Sequence, residues 1–600
     1  MKAFDIKKIP FLYLILIFVL LGTGSCSDDF LNRSPKGTIF SGSLANESGV
    51  NGLLIGAYSL LNESGTGGTG WHMGRWIFGG VASDDAHTGT EAGALQPVPE
   101  FESYTATSAT RGLNDRWRVY YAAVQRCNDV LRLLQITEDN NSISPESAQQ
   151  IRAEARFLRG VYHLYIALMW KNIPFVDETV SASTGNYYVS NTENAWPRIE
   201  EDFEYASNNL TETKADAGRA NKWAAKCFLV KSYMFQNKHS DAKPLLDDII
   251  QNGVTPGGLK YDLNEHFFDN FNPDTKNGPE QVFAVMHSVN DGANGQNGTR
   301  NSGEGNSGPY GGPFTTYGFY QPSFSLVNSY KTDAETGLPF ISSFNDSDVK
   351  HDLNILSSEP FEPYSGSLDS RLDWTVGRRG IPYLDWGVNP GLAWVRQQSV
   401  AGPYLHIKHV SFQSQPQAME VRSTSNTYNL IRFADVLLWA AEVEVELGNL
   451  EKAEEYVNRV RMRAANPDTW VKKYIDNNDP LAGFSNEPAA NYKVGLYSGH
   501  FLENGQDFAR EAVRFERKLE LGMEHHRFFD LQRYDNGTGY MAEVLNEYIE
   551  HETSIPDYNF YYMEGATFTQ GKNEIYPIPI EQIDLSVKDG EPTLIQNSGY

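Results

Sequence analysis

Residues of one chemical kind recur at the helical period in block after block of this chain. Trp117, Tyr121, Val124, Asn128 and Leu131 follow one another at alternating four- and three-residue steps, and Ile151, Ala155, Leu158, Tyr162, Tyr165 and Met169 repeat the pattern. Such spacing places side chains on one face of an amphipathic helix. Pro174 closes the second block. A third stripe runs through Ala220, Trp223, Cys227, Val230 and Met234, and a short helix is predicted over 240–250. Residues 44–61 also read as helical. Late in the chain, Leu430, Ala434, Leu437 and Ala441 form a stripe that Gly448 ends, and Ala453, Val457, Val460 and Ala464 form the next. Antiparallel helix pairs with short turns and Ala at close contacts build a helical-repeat scaffold. Trp117 and Trp223 lie on stripes and are assigned to the core.

The pair from Tyr428 to Ala465 resembles a tetratricopeptide unit: helix, Gly-Asn turn, then Glu-Lys-Ala-Glu opening the second helix. Its period is irregular over the chain, so the array is degenerate and carries insertions. The largest is 253–427, where helical periodicity fades. Nine of the thirty residues 291–320 are Gly, and Tyr310, Phe314, Tyr317, Phe319 and Tyr320 crowd the end of that stretch. Disordered segments are poor in aromatics, so this reads as an ordered, loop-rich region packed on the helices. The predicted fold class is mostly α: a degenerate tetratricopeptide-like scaffold with a large loop-rich aromatic insertion.

The first residues have a separate purpose. Lys2, Lys7 and Lys8 precede an apolar run from Ile9 to Leu21, small residues follow, and then Cys26. This is the layout of a secretory signal peptide. The cysteine resembles the lipid-bearing residue of bacterial lipoproteins, although Thr23 stands where such sites usually carry Leu, Val or Ile. Ordinary cleavage nearby, leaving a free thiol, is the alternative. The expected organisation is a signal peptide (1–25), a lipidated tether (26–42), an N-terminal helical region (43–252), the insertion (253–427) and a C-terminal region with the late repeat (428–600).

A net charge of −26 argues against a nucleic-acid partner. Two cysteines beyond Cys26, Cys127 and Cys227, make no disulfide framework and read as buried thiols. Gly65 to Gly70 matches G-x-G-x-x-G, but no strand precedes it and no helix opens on it, so a dinucleotide site is rejected. His525 and His526 follow Glu524 without an H-E-x-x-H pattern, and no G-x-S-x-G or P-loop occurs. No metal or cofactor is expected. Glu154, Arg156 and Arg159, and Glu516, Glu520, Arg527 and Asp530, read as inter-helix salt links or solvated faces.

Several segments together resemble the SusD/RagB family of glycan-binding outer-membrane lipoproteins. They are CSDDFLNRSPKGT, RAEARFLRGVYHLYIALMWKNIPFV, GRANKWAAKCFLVKSYMF, DSRLDW (with Ser370 in place of a Pro), IRFADVLLWAAEVEVELG, NRVRMRA, ERKLELGMEHHRFFDLQRY and the closing YPIPIEQIDL and QNSGY. The resemblance implies a helical body anchored by lipid at Cys26 to the outer membrane and facing the cell exterior. Asp28 and Asp29 resemble the acidic surface-export signal of these lipoproteins. The body would bind oligosaccharide and pass it to a SusC-like TonB-dependent barrel transporter, without catalysis. A peptide or glycopeptide ligand, or a glycoside hydrolase, is the alternative.

Neutral sugars stack on exposed aromatic faces and take hydrogen bonds at their edges. Two loops offer both: Trp71, Arg75, Trp76, Asp84 and Asp85 in the first, and Tyr310, Tyr317 and Tyr320 in the second. Trp374, Trp386 and Trp394 are further candidates. The alternative for any one ring is that it packs a loop onto the helices. The two loops are expected to meet on one side of the scaffold.

Overall fold

The computed structural model describes residues 44–63, 74–94, 96–289, 308–312, 316–416, 424–556, 558 and 562–600. Cys26, Trp71, Phe314 and the Gly65–Gly70 motif lie outside these residues.

Helices dominate. The N-terminal half is a run of α1 (Glu47–Tyr58), α2 (Arg111–Asp139), α3 (Pro145–Trp170), α4 (Trp196–Asn209), α5 (Lys222–Met234) and α6 (His239–Asn252). From α2 onward each packs on the next, as repeat logic requires. Side-chain caps start three of them: Asn46 on α1, Ser144 on α3 and Asn221 on α5 accept from backbone N–H groups of the first turn. The stripe residues are buried, with Tyr121 partly so: Leu158, Ala155 and Val230 are fully inaccessible, and Trp117 and Trp223 are in the core as expected. Cys127 and Cys227 are buried free thiols.

The late repeat comprises α7 (Phe433–Glu446) and α8 (Leu450–Ala465), which pack on each other and on α9 (His500–Leu521). Gly448 has φ +83°, the left-handed C′ geometry that favours glycine. Then follow α10 (Arg527–Asp535) and α11 (Tyr540–Ser554). The expected helical stripe is corrected at its start. Leu430 lies on a strand, Tyr428–Arg432, that is buried at every position. A five-residue segment buried on both faces, polar Asn429 and Arg432 included, has no clear period to separate strand from helix.

This strand, β4, pairs antiparallel with β2 (Gln281–Val285), so the chain between them leaves and returns at one place. Within the insertion the structure is short strands and single-turn helices around a small apolar cluster that includes Phe267, Phe268, Phe271, Tyr383 and Ile407. No helix among the described residues is long and apolar enough to cross a membrane.

A buried ionic hub joins insertion and scaffold. Asp369 and Arg371 of the DSRLDW segment meet α9: the Arg371 guanidinium donates to Asp369 (2.8 Å), Glu516 (2.7 Å) and Glu520 (2.9 Å). Arg461 of α8 shares Glu516 at 2.8 Å, and Arg432 bonds Glu520, Glu280 and Glu524. Arg156 and Arg159 of α3 both reach Asp202 of α4, so the expected inter-helix salt links are present.

A candidate glycan-binding face

The segment after Gly74 begins with a π-helical turn, Trp76–Val81, and continues into β1 (Ala86–Gly89). β1 pairs antiparallel with β3 (Phe319–Pro322), with His87 opposite Gln321 and Gly89 opposite Phe319. The Thr90 N–H donates to the Gly318 carbonyl at 2.7 Å. The two candidate loops therefore meet, as expected.

The residues they expose differ from the expected set. Trp76 is 1% accessible, with its ring edge-on to buried Tyr320 at 5.8 Å. Gly80 lets the Tyr320 ring approach, since a Cβ there would lie 2.2 Å from its hydroxyl oxygen. Arg75 is buried too. It is ion-paired with Glu63, and its guanidinium lies over the Tyr165 ring at 4.2 Å. Asp84 is held by Lys518 (2.6 Å) and Arg527 (2.7 Å), whose charges outweigh burial and keep its carboxyl below the usual range. Asp85 is fully buried and accepts from the Met523 N–H at 3.2 Å. Burial and then the neighbouring Asp84 charge push it up to about 7. Arg75, Trp76, Asp84, Asp85 and Tyr320 thus lock loops onto helices and offer no open face for stacking. Trp374 and Trp386 are half-buried loop packers: their indole N–H groups donate to the Thr469 and Ser411 carbonyls, each at 2.9 Å. Trp374 also stacks on Phe268 at 5.2 Å.

Tyr310 and Tyr317 remain open, at 41% and 39% accessibility. Tyr317 stacks on Phe319 at 6.2 Å, which orients its ring from β3. The Tyr310 N–H donates to the Trp394 carbonyl at 3.1 Å, placing half-buried Trp394 beside it. Arg396 lies over the Tyr310 ring at 4.7 Å, bonds Glu91 at 2.5 Å and donates to Thr90 Oγ1 at 3.2 Å. This face gathers three aromatic rings with a guanidinium and a carboxylate, while fully buried Thr90 holds Arg396 from beneath. Arg396, Thr90 and Glu91 were missed in the sequence. The Trp394-Val395-Arg396 spacing was the available signal, but without the β1–β3 pairing nothing connects it to Glu91. Among the described residues, no group of three or more His, Cys, Asp or Glu side chains is arranged to hold a metal.

A family profile described as the SusD family matches residues 279–600. The chain belongs to the SusD family. A second profile, "Starch-binding associating with outer membrane", matches residues 81–234. A SusD-like protein of Formosa agariphila is 23% identical, covering 98% of this chain and 99% of that protein. Among solved structures, a SusD superfamily protein from Bacteroides vulgatus superposes with a TM-score of 0.67 at 19% identity, covering 92% of this chain and 99% of that one. Surface glycan-binding protein A from Bacteroides thetaiotaomicron, solved in complex with laminarihexaose, superposes with a TM-score of 0.58 at 18% identity, with 92% and 99% coverage. The SusD fold thus carries the helical repeat and the insertion together.

Proposed function

We propose that this SusD-family protein captures an oligosaccharide on the face formed by Tyr310, Tyr317, Trp394 and Arg396. It then hands the glycan to a SusC-like TonB-dependent barrel transporter. Lipid at Cys26 anchors it to the outer membrane, facing the exterior. The observation that carries the reading is the exposure of Tyr310 and Tyr317 in a region where the neighbouring rings Phe319 and Tyr320 are buried. Ring faces left in water cost free energy that a sugar's C–H face recovers, and Arg396 and Glu91 supply edge hydrogen bonds. The laminarihexaose complex of a structural neighbour supports a glycan as the ligand class.

Aromatic stacking contributes about 1–3 kcal/mol per nucleic-acid base, and a sugar ring stacks no more strongly. A few rings then give weak, reversible binding, which suits a protein that must release its cargo. Asp84 and Asp85 are buried and engaged, so the reading is a binding protein and not a hydrolase. The test is glycan-array profiling of the purified protein, followed by chain-length analysis of each bound glycan after incubation. Selective binding with unchanged length is expected. Release of reducing ends would make the protein an enzyme, and peptide binding with a blank array would move the face to a peptide ligand.

A further inference from the structure

A second cleft, of about 430 Å³, lies where the end of α3, the start of α4, the turn after α5 and the end of α10 meet residues 570–575. Its volume is in the range of small-molecule sites. Its lining residues are distinct from those of the tyrosine face. Half-buried Trp196 and Phe235 line it together with exposed Lys171, Asn237, Asn536 and Gln570. None of these four polar side chains has a hydrogen-bond or ion-pair partner among the described residues.

The backbone at this cleft is held in costly conformations. Lys171 has φ 60° and ψ −67°, and the Asn172 N–H donates to the Trp170 carbonyl at 2.6 Å. This is the γ-turn of the rare, strained hand. A lysine has no side-chain means of easing it. Asn237 and Asn536, also on the cleft, are left-handed at φ 54° and 39°. Such strain persists only where surrounding contacts over-determine it. Here the Asn597 carboxamide donates to the Trp170 carbonyl at 2.8 Å, the Tyr576 N–H donates to the Met169 carbonyl at 2.8 Å, and the Trp170 indole donates to the Pro577 carbonyl at 2.9 Å. The Gln532 carboxamide ties the walls together by donating to the Leu168 and Glu574 carbonyls at 2.9 and 2.6 Å. The cleft is preformed.

We infer that this cleft is a second saccharide site, which takes a mono- or disaccharide unit independently of the tyrosine face. Its chemistry selects that class. Half-buried Trp196 and Phe235 give apolar surface for a sugar's C–H face, and three carboxamides, each both donor and acceptor, suit vicinal hydroxyls. Lys171 adds donors. The other cation in the lining, Arg533, is already engaged by Asp530 and Glu442, and one exposed ammonium beside it does not make a phosphate site.

Saturation-transfer NMR tests this on the full chain carrying Tyr310→Ala and Tyr317→Ala, with laminaribiose, maltose and cellobiose as probes at millimolar concentration. At least one disaccharide is expected to receive transfer. Adding Asn536→Gly, which keeps the left-handed backbone and removes the carboxamide, weakens that binding about tenfold, a 1.4 kcal/mol change. Adding Lys171→Gly weakens it similarly without lowering the melting temperature, because glycine accepts the turn. A purely structural lysine would leave binding unchanged. The inference is overturned if no probe receives transfer, if binding persists undiminished in both variants, or if both lose binding and melting temperature together.

Discussion

Tyr317 and Tyr320 stand three residues apart and have opposite roles. Tyr320, at φ 56°, turns its ring inward against Trp76, and Tyr317 keeps its ring in water. In composition the two are identical. They are separated by the backbone at β3, which no spacing rule encodes. The same holds for Trp76, an aromatic beside Gly and Arg that has the local look of a sugar platform. Its burial gives a direct expectation: Trp76→Ala lowers unfolding free energy by about 3–5 kcal/mol, read by chemical denaturation. A loss below about 0.5 kcal/mol would place that ring at the surface after all.

At the scale of elements, the tyrosine loop depends on close backbone contact. A Cβ at Gly311 would lie 2.1 Å from the Ala393 carbonyl oxygen. Gly311→Ala must push the Tyr310 segment off Trp394. Glycan binding should weaken severalfold in calorimetry, with little change in melting temperature, because few core side chains are involved. The ionic hub is different in kind. Arg371 is buried with Asp369, Glu516 and Glu520, so Arg371→Ala strips Asp369 of its ion-pair partner and leaves Glu516 and Glu520 with one cation fewer. Removing one partner of such a set costs about 3–5 kcal/mol. Denaturant titration checks it, and a near-zero change would mean that Arg432 and Arg461 already neutralise those carboxylates. The helices of the repeat were legible because a 3.6-residue stripe survives degeneration of the repeat itself. The salt links were legible only as charges on faces. Arg371 lies about 145 residues from Glu516 along the chain, and sequence spacing says nothing at that separation.

Across the whole molecule, buried titratable groups set a pH profile. His163 and His409 are held down to about 3 and His287 to about 4 by burial, against about 6.5 in the unfolded chain. The unfolded state therefore binds more protons than the native state once pH falls below about 6.5, and stability is lost through that window. Asp85 and Asp352, raised to about 7 and about 6, act with the opposite sign, gaining stability as pH falls. His87 and His551, raised to about 9 by their carboxylate partners, share the aspartates' sign, but the depressed histidines outnumber these groups, with His406, His525 and His266 also below the usual value. Unfolding free energy should thus fall between pH 6.5 and 4.5 by denaturant titration; a rise would show that the aspartates dominate.

The overall architecture was readable from stripes and from family segments spread along the chain. The binding face was readable only as two aromatic loops that ought to meet. Which rings stay open depends on the β1–β3 register and on the π-helical turn that buries Trp76, both consequences of tertiary packing. The most direct measurement of the central claim is calorimetric titration of the array-selected glycan into wild-type protein and into the Tyr310→Ala/Tyr317→Ala variant. The account predicts at least a tenfold loss of affinity, about 1.4 kcal/mol, with the melting temperature unchanged. Undiminished affinity in the double variant would contradict it.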